Sequence, residues 1–156
     1  MKTCITLILC FLIIHTSAQQ PTEIPSPNTE TAYLNYDFNL QRSGYEQVET
    51  KMIYSYLNQP LRLYFVIDSL YDYMFAAICD SSTGGLKAEC YYESDASPFI
   101  QSDPGELIKE YNAKITLLPL SANQRSGTVS IILNLQGKTE AIEPSYYMMV
   151  RKKRIY

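Results

Sequence analysis

The chain has 156 residues, 13 of them Lys or Arg and 16 Asp or Glu, which gives a formal net charge of −3, and it contains one histidine. That histidine, His15, lies in a segment that we expect to be cleaved, so the mature protein would contain no histidine. The absence of histidine excludes Ser-His and Cys-His nucleophile pairs, a histidine general base and zinc sites with histidine ligands. The acidic balance also argues against a nucleic-acid partner, since phosphate binding needs a basic face.

Residues 1–18 are predicted to form a secretory signal peptide. Lys2 supplies the positive charge, residues 5–14 are mostly apolar, and small residues up to Ala18 suit a cleavage site. The apolar run is shorter than the roughly 20 residues that a bilayer span requires. We therefore expect cleavage after Ala18, a secreted, extracellular mature protein, and no membrane span.

The next segment, residues 19–30, is polar and contains Pro21, Pro25 and Pro27. Such a composition buries too little apolar surface to order the chain, so this segment is predicted to be a disordered linker. Residues 31–156 then have the length of a single domain.

Apolar and polar residues alternate along most of this domain, which is typical of strands that bury one face. The first such run is 32–40, and the clearest is 128–136, which lies between two glycines. Six further candidate strands are 47–57, 61–69, 71–79, 90–93, 114–120 and 146–152. Eight short strands separated by turn signals predict an all-β fold, an antiparallel β-sandwich or a jelly roll.

One short helix is predicted in a loop of this fold. Asp103 suits a helix cap and Pro104 suits the first helical turn, although Gly105 weakens the pattern. We expect at most one or two helical turns there.

The two cysteines of the mature chain, Cys79 and Cys90, are predicted to form a disulfide. Export places them in an oxidising compartment, while Cys4 and Cys10 leave with the signal peptide. The turn-forming residues 81–85 would let the two strands that carry these cysteines pair as a hairpin. A reactive thiol is not favoured, because neither a Cys-x-x-Cys spacing nor a neighbouring histidine is present.

All 14 tyrosines lie in the mature chain, and tryptophan is absent. Tyrosine offers a large amphipathic surface at low entropic cost and is enriched in recognition surfaces, although it is also a preferred strand residue. Two adjacent tyrosines in a strand point to opposite faces, so one member of each pair is predicted to lie outside the core. The candidate ligand-binding residues are Tyr71, Tyr91, Tyr92, Tyr146 and Tyr147.

Acidic side chains in predicted loops and bends suggest two further chemistries. Carboxylates of this kind bind calcium, or act in pairs in glycosidases. No spacing matches an EF-hand loop, and the residues around Asp80 also suit a simple turn. The candidate calcium ligands are Asp68, Asp72, Asp80, Asp95 and Asp103.

Four basic residues, Arg151, Lys152, Lys153 and Arg154, follow one another near the C-terminus. They could form a polybasic protease site or a contact for anionic glycans or lipid headgroups. We favour a solvated chain end, since charged termini are common.

The function predicted from these features is a non-enzymatic recognition module without a cofactor. No Gly-x-Ser-x-Gly elbow, Ser-x-x-Lys motif, phosphate-binding glycine loop or dinucleotide fingerprint is present. We expect the module to bind an extracellular protein through tyrosine-rich loops or a sheet face. The alternatives are a carbohydrate-binding module, in one version calcium-dependent, and a small carboxylate-based hydrolase. The missing tryptophan counts against sugar stacking.

Overall fold

A computed structural model describes residues 26–54, 60–121, 125–136 and 145–155. The predicted signal peptide, its cleavage site and residues 19–25 of the predicted linker lie outside these ranges. None of the helices in the described ranges has the length and hydrophobicity needed to cross a membrane.

The described residues form one α-helix, nine strands and one 3-10 turn. In chain order the elements are α1 Pro27–Arg42, β1 Glu46–Tyr54, β2 Leu61–Ile67, β3 Tyr71–Asp80, β4 Gly85–Tyr92, β5 Ile100–Gln101, β6 Glu106–Ile108, the 3-10 turn Lys109–Tyr111, β7 Ala113–Leu120, β8 Gly127–Gln136 and β9 Ser145–Arg154.

The strands form two antiparallel sheets that pack face to face, so the predicted all-β sandwich is confirmed. The five-stranded sheet has the order β1-β9-β3-β7-β6, and the four-stranded sheet has the order β2-β8-β4-β5. Their inner faces form the main core, in which Phe75, Leu118, Val129, Ile131 and Met148 are almost completely buried. Strands β1 and β2 are edge strands of the two sheets.

The predicted first strand, 32–40, is wrong, because these residues belong to helix α1. Ser26 caps the helix by accepting a hydrogen bond from the Thr29 backbone, and Pro27 occupies the first turn. The chain leaves the helix at Gly44, whose φ of +85° is a conformation that glycine adopts easily. Helix α1 also begins inside the segment predicted as linker. The side chains that it buries are Thr29, Ala32, Tyr33, Asp37 and Leu40.

Helix α1 covers the outer face of the five-stranded sheet. Ala32, Tyr33 and Leu40 pack against apolar side chains of β3, β7 and β9. The Tyr33 ring stacks on Tyr147 with their centroids 4.8 Å apart, and its hydroxyl donates a hydrogen bond to Thr50. The middle strands of this sheet are therefore buried on both faces, which leaves the four-stranded sheet with the open outer face.

A buried ion pair fastens the helix to the sheet. Arg151 in β9 is 4% exposed, and its Nε donates a 2.6 Å hydrogen bond to Asp37 Oδ1 of α1. The Arg151 Nη2 also contacts Asp37, and Gln41 Nε2 donates to the second carboxylate oxygen at 2.7 Å. The interpretation of residues 151–154 as a solvated chain end is therefore wrong for Arg151, which is buried, although Arg154 is exposed; all four belong to β9, between β1 and β3.

The short helix predicted after Asp103 is only partly present, because the helical turn forms later, at Lys109–Tyr111. Strand β6 and the 3-10 turn occupy this stretch. Gly105 passes so close to β7 that an added Cβ would lie 2.7 Å from Thr116 Oγ1, while its amide donates to the Leu86 carbonyl. Close contact with two strands outweighs the local preference for a helix.

The predicted hairpin between the strands of Cys79 and Cys90 is wrong, and no disulfide joins the two residues. Strand β3 lies in the five-stranded sheet and β4 in the four-stranded sheet, so the short turn between them crosses from one sheet to the other. Both cysteines are free thiols buried in the core between the sheets.

We expect both thiols of the folded domain to resist a thiol-specific chromogenic reagent at about pH 8 and to react after unfolding. Burial raises the pKa of each thiol from 9.0 to about 12, so the folded state holds these protons more tightly than the unfolded state. Their contribution to stability is therefore complete below pH 9.0 and is lost as the pH rises from there to about 12. Fewer than two reactive thiols in unreduced, denatured mature protein would contradict this.

Candidate functional site

The outer face of the four-stranded sheet is the open face of the described fold. Residues of β2 alternate between inward and outward positions, and the outward ones are exposed. Tyr64 is 62% exposed and Val66 is 67% exposed. Helix α1 makes its main contacts with β3, β7 and β9 of the other sheet and with the 3-10 turn. Tyr64 and Val66 are therefore neighbouring exposed apolar side chains on one face, which makes this face a candidate interaction surface.

Three residues in register across this face form the tyrosine row: Tyr64 in β2, Ser130 in β8 and Tyr91 in β4. Ser130 pairs with Tyr64 on one side and with Tyr91 on the other. The strand spacing places the two tyrosine backbones about 10 Å apart. Because the central serine is small and buried, the face is concave here, with a cavity of about 370 Å³.

Hydrogen bonds fix the position of the Tyr91 side chain. Its hydroxyl donates a 2.9 Å hydrogen bond to Glu89 Oε2, and Lys87 Nζ lies 3.0 Å from Glu89 Oε1. The hydrogen bonds from Lys87 and Tyr91 lower the pKa of Glu89, and the bond to Glu89 raises the pKa of Tyr91. The Tyr91 ring is thus held in place before any ligand binds, which reduces the entropic cost of binding.

The loop after β4 closes one end of the tyrosine row. Tyr92 stacks on Phe99 with centroids 4.4 Å apart, and its hydroxyl donates to the Arg125 carbonyl. The Arg125 guanidinium lies 4.0 Å above the Tyr92 ring, and its Nη2 lies 2.9 Å from both carboxylate oxygens of Asp95. These contacts hold the loop beside a second, shallow concavity of about 510 Å³, which adjoins the first around Glu93.

Opposite charges flank the tyrosine row. Arg62 lies beside Tyr64 on the same face of β2, at one side of the tyrosine row. Glu93 follows β4 at the opposite side of the row, where its amide donates a hydrogen bond to the Thr128 carbonyl. Among the described residues neither side chain forms an ion pair. The surface therefore offers two aromatic rings between a cation and an anion.

The structure separates the five tyrosines predicted to bind a ligand. Tyr91 lies on the open face, whereas Tyr92 and Tyr146 are buried in the core. Tyr147 is half-buried beneath helix α1, and Tyr71 is half-buried near Tyr73 in the other sheet. The open face therefore retains only Tyr91 of the five.

The candidate calcium ligands lie apart. Among the described residues no three His, Cys, Asp or Glu side chains come together as a metal site. Asp68 Oδ1 accepts a hydrogen bond from the Leu70 amide, and Asp80 accepts from the Ser82 amide and the Ser26 hydroxyl. Asp95 pairs with Arg125. The remaining two candidates, Asp72 in β3 and Asp103 in a loop, do not join them in a group.

The site includes residues that were not among the sequence-predicted ligand-binding or calcium candidates, notably Arg62, Tyr64 and Ser130. The alternation along 61–67 places Arg62 and Tyr64 on one face and was the available signal. The buried Ser130 gave no comparable signal, because its importance comes from its position between two tyrosines that are distant in sequence.

The comparisons with known proteins add no assignment. No protein-family model matches this chain, and no curated protein matches it. A functional proposal must therefore rest on the geometry and chemistry of the open face.

Proposed function

We propose that this protein is an extracellular recognition module that binds a protein partner through the open face of the four-stranded sheet. The observation that carries the proposal is the tyrosine row, with the highly exposed Tyr64 and the hydrogen-bonded Tyr91 on either side of Ser130. Tyrosine and arginine are enriched at the energetic centres of protein interfaces.

The charges around the row support a protein partner in particular. Arg62 and Glu93 present opposite charges on the two sides of the rings, so a complementary surface must itself carry both signs. A protein surface meets this requirement, whereas a uniformly anionic polymer would be repelled by Glu93. The preorganised Tyr91 ring also suits a specific contact better than general adhesion.

Carbohydrate binding is the second candidate, and one feature favours it. The cavity between the two tyrosines is lined by polar side chains, including Glu93, Asp95 and Ser130, which could hydrogen-bond to sugar hydroxyls. The two functions differ in what the module recognises on a glycoprotein, so a single capture experiment distinguishes them.

The test is affinity capture by the immobilised mature domain from its native extracellular fluid, with and without prior deglycosylation of the fluid. The wild type is compared with Tyr64→Ala/Tyr91→Ala. We expect a defined protein to be retained from both fluids, and the double variant to bind it at least about 30-fold more weakly, the loss of one interface hot spot or more.

The matched control is Tyr36→Ala/Tyr111→Ala, which removes two half-buried tyrosines on the helix side of the molecule. This control should keep the wild-type affinity. Retention that disappears on deglycosylation would replace the protein hypothesis by the carbohydrate one. Equal binding by the wild type and Tyr64→Ala/Tyr91→Ala would overturn the assignment of the open face.

A further inference from the structure

A cleft opens between the two edge strands, β1 and β2, and leads into the core. Its volume is about 290 Å³. Its floor includes Phe75, Ile131, Met148 and Val150, each at most 2% exposed to solvent. Leu63 and Phe65 of β2 form one apolar wall and are only half-buried, because the cleft exposes them.

The cleft exists because β1 turns charged side chains toward the core. A register shift between Gln47 and Glu49 changes which residues of β1 face inward. Glu49 then lies opposite Val150 and Lys51 opposite Met148, so both share the inner face of the sheet with these core residues. Charged side chains cannot fill apolar space at this edge, and they remain 43% and 52% exposed at the mouth.

The mouth carries a net positive charge. Glu49 and Lys51 form an ion pair at 3.2 Å, and Arg62 adds a second cation at the border of the cleft. Among the described residues Arg62 has no acidic partner. The cleft thus combines an apolar interior with a cationic entrance.

We propose that this cleft binds a single-chain anionic amphiphile of the fatty-acid class. The tail would lie against Phe75, Ile131, Met148 and Val150, and the carboxylate would remain at Lys51 and Arg62. A cavity of about 150 Å³ holds a benzene ring, so about 290 Å³ accommodates on the order of ten carbon atoms. The cleft shares Arg62 and Tyr64 with the rim of the tyrosine row, but its apolar interior lies between the sheets, and the proposal does not depend on the proposed protein partner.

The test is a calorimetric titration of the mature domain with hexanoate, octanoate, decanoate and tetradecanoate, each below its micelle concentration. We expect saturable binding at one site that tightens roughly threefold to fourfold per added methylene up to decanoate and then levels off. Decyltrimethylammonium and undecanoate carry opposite charges on ten-carbon tails of the same length, and the ammonium compound should bind roughly fivefold more weakly than undecanoate.

Two sets of variants locate the site. Leu63→Trp should fill the cleft and reduce decanoate binding at least tenfold, whereas Val66→Trp, on the same strand but on the open face, should leave it unchanged. Lys51→Glu/Arg62→Glu alters exposed side chains at the mouth and should reverse the preference, so that decyltrimethylammonium binds more tightly than undecanoate. The exposed control Lys109→Glu, remote from the mouth, should bind as the wild type does.

Several outcomes would overturn the proposal. These are the absence of saturable decanoate binding, an affinity independent of chain length, and equal losses in Leu63→Trp and Val66→Trp. If Leu63→Trp does not fold, the charge-reversal variant decides, and an unchanged head-group preference in that variant would equally overturn it.

Discussion

Asp37→Ala is expected to lower the free energy of unfolding by about 3–5 kcal/mol, because it leaves the buried Arg151 without a counterion. The loss combines an uncompensated buried charge with the release of helix α1 from the five-stranded sheet. Urea denaturation of the variant and the wild type measures the difference. The control is Asp103→Ala in an exposed loop, which should change stability by less than about 0.5 kcal/mol.

A second variant separates the ion pair from the packing of the helix. Replacing both partners, as in Asp37→Leu/Arg151→Met, removes the buried charges together and should recover most of the stability, since well-packed apolar residues often replace a buried pair without loss. A loss below about 1 kcal/mol in Asp37→Ala would show that the pair does not hold the helix. If the double variant is as unstable as Asp37→Ala, the uncompensated charge of Arg151 does not explain the loss of stability.

Phe75→Ala is expected to have an effect of similar size, about 3–5 kcal/mol, because it empties a large volume in a core that cannot collapse completely. Phe75 is fully buried between the sheets and forms part of the floor of the edge cleft. Chemical denaturation measures the loss. Removing the Phe75 ring also deepens the cleft. In this variant the affinity for fatty acids should therefore continue to rise for chains longer than decanoate.

The matched control for this substitution is Phe38→Ala in helix α1. Phe38 is 55% exposed, so its truncation should change stability by less than about 0.5 kcal/mol. Similar losses for the two variants would contradict the assignment of Phe75 to the core and of Phe38 to the surface.

Most of the longer strands of the sandwich can be predicted from the sequence, because burial of one face imposes a period of two residues, whereas the short strands β5 and β6 carry no such pattern. Strand β8 is the clearest example, with Val129, Ile131 and Leu133 buried in alternation. Strand β3 is predicted for a different reason. Helix α1 covers its outer face, so its residues are mostly apolar on both faces, as in a fully buried strand.

The sequence of helix α1 predicts a strand because Leu34 and Phe38 are apolar, although both are exposed in the helix. These two residues complete the alternation of apolar and polar residues along 32–40, but the buried side chains of the helix do not follow that alternation. The side chains that the helix buries instead repeat at intervals of three and four residues, as a helix requires. Ser26 and Pro27 form a typical start signal for a helix and lie just before the alternating run.

The long-range arrangement could not be predicted from local patterns. The turn between β3 and β4 resembles a hairpin turn in composition, but it connects two different sheets, so Cys79 and Cys90 do not form the expected hairpin contact. The pairing of Asp37 with Arg151 depends on helix docking across more than a hundred residues of sequence. Such contacts are set by tertiary packing and leave no signal in residue spacing.

The candidate site was only partly predictable for the same reason. Of the tyrosines predicted to bind a ligand, Tyr91 lies on the open face, whereas Tyr92 and Tyr146 are buried. Tyr64 joins Tyr91 only through their common neighbour Ser130 in β8. Strand order therefore determines the site more than composition does.

The most direct test of the open face as the recognition surface is tyrosine nitration of the free domain and of its complex with the captured partner, read by peptide mass spectrometry. In the free domain Tyr64 should be nitrated and the buried Tyr146 should not. In the complex Tyr64 should be protected, while the modification of Tyr36 and Tyr111 on the helix side stays the same. Equal nitration of Tyr64 in both samples, or protection confined to Tyr36 and Tyr111, would contradict the proposal.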